Sequence, residues 1–157
     1  LIAVAASAPL IAVNALAASI WIGGLVAIFV VARAASATLD PAARVTFFRA
    51  LGRSYGVVGS VALLVALATG AALLRGHPWD GLLIATAIAA AALLVATGVG
   101  MAQARAMTRL RRQALSGGAG FALEARVRRG AALAAALRGT IALLTLALVG
   151  LGAALAA

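Results

Sequence analysis

The sequence predicts an all-α integral membrane protein, a four-helix bundle with both termini outside. Three observations predict it. Apolar residues make up 66% of the 157 residues, against about 45–50% in an ordinary soluble domain. Charged residues are only 10%, and mean hydropathy is +1.17. The apolar residues fall in four long runs separated by arginine-rich or turn-forming stretches. A soluble fold of this size cannot bury so much apolar surface, so a water-soluble enzyme is excluded.

A bilayer core of about 30 Å needs about 20 apolar residues as helix. Four runs meet that length, at about 8–32, 55–74, 82–103 and 139–157. They are apolar all round, whereas transmembrane strands alternate apolar and polar residues. The first run is longer than the apolar core of a signal peptide, and no basic residue precedes it. It is therefore counted as a span. Residues 1–157 are expected to form a single four-span domain.

Between the first two spans, Asp40-Pro41 is a helix start, with Asp as N-cap and Pro at the first helical position. Val45, Phe48, Leu51 and Tyr55 then recur at helical spacing, with Arg44, Arg49 and Arg53 among them. This pattern predicts a cytoplasmic amphipathic helix between helices one and two. Arg75 to Gly81 forms the connection between spans two and three, with Gly76 and Pro78 as turn residues. The third helix is expected to run on through Arg105, Arg109 and Arg112 until Ser116-Gly117-Gly118, and the fourth to begin near Phe121.

Every basic residue except His77 is an arginine, and the thirteen arginines set the orientation. Four lie between spans one and two: Arg33, Arg44, Arg49 and Arg53. Eight lie between spans three and four: Arg105, Arg109, Arg111, Arg112, Arg126, Arg128, Arg129 and Arg138. Arg75 alone lies between spans two and three. Cytoplasmic loops collect Arg and Lys, so both long loops are expected inside. Arg44, Arg49, Arg53, Arg105, Arg109, Arg112, Arg126 and Arg129 are the candidates to meet anionic lipid headgroups. The basic excess is read as an orientation signal and not as a base-stacking surface, so nucleic acid is not an expected partner. The arginine, alanine and glycine bias suits a GC-rich bacterial source, hence a bacterial inner membrane.

Polar groups inside spans are the default functional candidates. Asn14 and Trp21 are seven residues apart on one face of span one, followed by Gly23-Gly24. Thr69 sits near the outer end of span two. These three are candidates for substrate or helix contact. Thr86, Thr97, Thr140 and Thr145 are expected to bond their own helix backbone. His77 and Asp80 are the candidate metal ligands at the outer turn, and they make a weak donor set. Cysteine is absent. No catalytic constellation, paired carboxylates or phosphate loop is present, so neither an enzyme nor a cofactor is expected.

The run Asn14-Ala15-Leu16-Ala17-Ala18-Ser19-Ile20-Trp21-Ile22-Gly23-Gly24-Leu25 is followed by Phe47-Phe48-Arg49-Ala50-Leu51-Gly52-Arg53-Ser54-Tyr55 and by Ala68-Thr69-Gly70. This combination resembles the four-helix domain of the copper-resistance D (CopD) membrane proteins over roughly residues 10–75. The resemblance implies a four-span fold and a role in copper or small-solute movement. It departs from the family where Asn14 stands in place of a histidine often found there, and asparagine is a poor copper ligand. The second expectation is a non-catalytic accessory subunit of a larger respiratory or photosynthetic membrane complex. Few ionisable groups in the spans and Ala/Gly-rich helix surfaces favour it.

Overall fold

The computed structural model describes the backbone of residues 2–116 and 121–156, and side chains at 8–40, 43–44, 46–106, 129–130 and 132–155. Four helices account for nearly all of it: α1 (Ile2–Thr38), α2 (Pro41–Leu73), α3 (Gly81–Ser116) and α4 (Phe121–Ala156). Each contains a stretch long and apolar enough to cross a membrane: Ala8–Thr38, Thr46–Leu73, Gly81–Ala106 and Ala132–Leu155.

The helices outrun the predicted spans, because an arginine does not stop a helix. α1 continues past Arg33 to Thr38, and it carries Pro9 internally. The apolar part of α4 begins at Ala132 and takes in Arg138. The expected separate amphipathic helix is also corrected. Residues 41–73 form one unbroken helix of 33 residues, so Arg44 to Tyr55 are its first turns. No proline interrupts that segment, and isolated glycines weaken a helix without ending it.

Helix ends fall where local chemistry demands. The Ala43 N–H donates to Asp40 Oδ1 at 2.8 Å, so Asp40 caps α2. The Leu83 N–H donates to Asp80 Oδ1 at 2.8 Å, so Asp80 caps α3 in the same way. A capping carboxylate satisfies one of the N–H groups that the first helical turn leaves unpaired. α2 stops in a turn closed by the His77 N–H on the Leu74 carbonyl, 3.1 Å. Gly76 takes φ +91° there, a conformation L-residues rarely adopt.

The chain divides into two compact units, 1–77 and 78–157. Each is a helical hairpin. In the first, Asn14 meets Thr69 while Arg44 meets Ser36, so α1 and α2 run antiparallel. Its buried side chains include Ala17, Trp21, Ala35, Ala62 and Leu63. In the second, Gln103 meets Gly130. A Cβ at Gly100 would lie 3.4 Å from Leu137. Its buried residues include Leu83, Ala89, Leu93 and Ala96. Alanines are prominent in both sets. In lipid, helices gain little from hiding apolar surface and associate through close backbone approach.

Candidate functional site

The polar residues of the first hairpin gather along the α1–α2 contact in two layers. The outer layer is Asn14 and Thr69. Thr69 Oγ1 lies 3.0 Å from Asn14 Oδ1, 2.7 Å from the Val65 carbonyl and 3.2 Å from the Ala66 carbonyl. A threonine hydroxyl has one proton to donate, and Val65 offers the shortest acceptor. With that proton given to Val65, the pair is best satisfied when the Asn14 amide presents its NH2 to the Thr69 oxygen. Gly70 lies beside this layer without being required by it. A Cβ there would sit 3.8 Å from Asn14 Oδ1, in ordinary contact. The bond joins helices across 55 residues of sequence.

The second layer, toward the arginine end of α2, is built around Tyr55. Its hydroxyl donates to the Trp21 carbonyl at 3.1 Å. The ring lies directly over Gly24, where an added Cβ would overlap the phenol oxygen, Cζ and Cε2. On its own helix the ring faces Gly59, whose Cβ position is 3.1 Å from Cε1 and Cζ. Two glycines thus make a slot for one aromatic ring. Trp21 itself is 6% exposed. Gly23, next to Gly24, has open space around its Cβ position. Of the Gly23-Gly24 pair, only Gly24 makes the close approach.

The hydroxyls of Thr86, Thr97, Thr140 and Thr145 each donate to the carbonyl four residues back, at 2.8, 2.8, 3.1 and 2.8 Å. That is the usual destination of a threonine hydroxyl in a helix. Between α2 and α3, Asp80 is engaged as the α3 cap. His77 lies in the exposed turn that ends α2. Among the described residues, no group of three His, Asp or Glu is placed to hold a metal ion.

The candidate headgroup arginines separate into kinds. Arg44 is drawn inward. Its Nη2 donates to the carbonyls of Ser36 at 2.9 Å and Leu39 at 3.0 Å, and its Nε is buried without a partner. It closes the C-terminal end of α1, where carbonyls lack helical partners, and so is spent on the fold. Arg49, Arg53, Arg105 and Arg129 are exposed. The side chains of Arg109, Arg112 and Arg126 lie outside the described residues.

Two contacts have no counterpart in the sequence-based expectations. One is the Tyr55 hydroxyl on Trp21. The only signal in the chain was a lone tyrosine one turn before Gly59. The other is Gln103, whose Nε2 donates to the Gly130 carbonyl at 3.0 Å while its Oε1 is buried unpaired.

The arrangement can lock two helices together. Nothing in it forms a nucleophile–base pair. If Asn14 acts only as this lock, Asn14→Leu is expected to destabilise the protein by about 1 kcal/mol. Thr69→Val should then cost little more in the Asn14→Leu background. Unfolding curves of the single and double variants check this, and full additivity would refute the pairing.

Four helices of this length and apolarity, paired by small residues and interhelical hydrogen bonds, define a multi-pass helical membrane protein. Comparison of the chain with known protein families, with curated proteins and with solved structures found no match.

Proposed function

We propose that this chain is a non-catalytic accessory subunit of a bacterial inner-membrane assembly, with both termini outside. The observation that carries this reading is where the polar groups of the spans go. Asn14 and Thr69 bond to each other, Tyr55 bonds to Trp21, and four further threonines bond to their own helices. A carrier of charged solutes presents ionisable groups along its path; here the polar inventory of the spans serves packing. Only 6–17% of the most apolar part of each span is buried within the chain. The remaining helix surface is free for lipid or for other membrane helices.

Helix length supports the orientation. At 1.5 Å per residue, Arg53 stands about 30 Å along α2 from Leu73, one hydrocarbon thickness. Arg105 stands about 36 Å along α3 from Gly81. In α2 and α3 these arginines therefore stand about one hydrocarbon thickness from the opposite helix end. Cytoplasmic placement follows from their excess on that side.

A copper-handling role of the CopD kind is the second reading. One observation favours it: Asn14, Trp21, Gly24, Tyr55, Thr69 and Gly70, which carry the resemblance, converge on the α1–α2 contact. Gentle purification separates the two readings. A membrane protein that co-purifies at fixed stoichiometry, with no copper, is the expected result. Stoichiometric copper that survives gel filtration and is lost in His77→Ala would overturn it in favour of the second.

A further inference from the structure

We infer that the arginine end of α2 holds one anionic phospholipid, its phosphate between Arg49 and Arg53 and an acyl chain along the helix face below them. This site rests on the chain spanning a membrane and is independent of the accessory-subunit reading. Residues 49, 53, 56, 57, 60 and 64 recur at steps of three and four and share one face of α2. That face is not the one bearing Tyr55, Gly59 and Thr69, which meets α1. Arg49 and Arg53 are exposed. Four residues apart, their side chains leave the helix about 5–6 Å from one another. Like charges at that spacing repel, and a phosphate between them removes the repulsion and accepts from both guanidinium groups.

The first unit offers the pair a single carboxylate. Asp40 is the single acidic residue of residues 1–77, against five arginines, and its Oδ1 caps α2. Arg44, the third basic residue of this stretch, is turned onto the end of α1. The structure thus leaves two of the three neighbouring arginines for a ligand.

Depth and shape select a lipid over a soluble anion. Arg53 lies about one hydrocarbon thickness from Leu73, so phosphates of the bilayer surface stand at its level. Gly52 and Gly56 flank it with open space at their Cβ positions. Toward the membrane interior the same face offers Val57 and Leu64, 65% and 56% exposed. A chain attached to the phosphate has apolar surface to follow.

The test is lipid retention by the purified full-length chain in mild detergent, read by native mass spectrometry. Phosphatidylglycerol and phosphatidylcholine are supplied together. Wild type is expected to keep one phosphatidylglycerol per chain in preference to phosphatidylcholine. Arg49→Gln/Arg53→Gln should weaken that retention roughly thirtyfold, as two lost surface contacts imply. Arg49→Lys/Arg53→Lys, which keeps both charges, should retain a preference for phosphatidylglycerol. Arg33→Gln/Arg75→Gln removes the same charge elsewhere and should change retention less than about twofold, since surface attraction is local. An equal loss in both glutamine pairs would mean diffuse attraction and overturn the site. So would equal retention of the two lipids by wild type, or displacement of the lipid by millimolar inorganic phosphate. Helical circular dichroism of each variant confirms that it is folded. A failure here leaves the co-purification test of the subunit role untouched.

Discussion

Gly24→Ala is expected to destabilise the first hairpin by about 1–3 kcal/mol, the range for forcing extra atoms into a packed contact. The new methyl would occupy space held by the Tyr55 ring. Tyr55 can yield only by swinging its ring away. It then gives up the hydroxyl bond to the Trp21 carbonyl, and its return on the other side is limited by Gly59. Gly23→Ala is the control one residue away. Nothing lies within 4 Å of its Cβ position, and alanine favours helix over glycine by up to about 1 kcal/mol. It should be neutral or stabilising. In a Tyr55→Ala background the Gly24→Ala cost should vanish, since the atom it meets is gone. Thermal unfolding in detergent of the two singles and the double closes the cycle. Equal costs at Gly23 and Gly24 would show that Tyr55 does not occupy the slot.

The second large effect is all-or-none. The chain has no cysteine, so a single introduced cysteine reports its own side of the membrane. Trp79 is 80% exposed in the segment joining α2 to α3. Trp79→Cys should react with a membrane-impermeant maleimide on intact cells. Arg105→Cys, at an exposed position at the end of the apolar stretch of α3, should react only after the membrane is opened. The physical basis is that an arginine at the bilayer centre costs about 2.5–3.5 kcal/mol. Twelve of thirteen arginines lie between the predicted spans one and two or three and four, and short basic stretches of that kind are kept in the cytoplasm. The reverse labelling would invert the orientation while leaving the hairpins as they are.

Elements whose cause is local were legible in the chain. Asp40-Pro41 reads as a helix start, and the Asp40 carboxylate sits on the Ala43 N–H. Gly76 reads as a turn and holds a positive φ. Asp80 was legible only in part. Read beside His77 as a candidate ligand, it serves as the cap of α3, a role signalled by its place just before an apolar helical run. Arg44 shows the opposite limit. Its type and spacing match Arg49 and Arg53, yet it is turned inward onto Ser36 and Leu39.

The sequence by itself determined the solvent, the number of helices and where they turn. Each depends on residues within a few positions of one another, through hydropathy, capping and glycine conformation. Tertiary structure decided which faces meet. Helices apolar on every side carry no stripe to mark an inner face, so the partners of Asn14 and Tyr55 could not be read along the chain. They were set by fit between helices, where Gly24 and Gly59 leave room for one ring and Thr69 stands opposite Asn14. In lipid that choice falls to close contact and hydrogen bonding, because the bilayer rewards no apolar face over another.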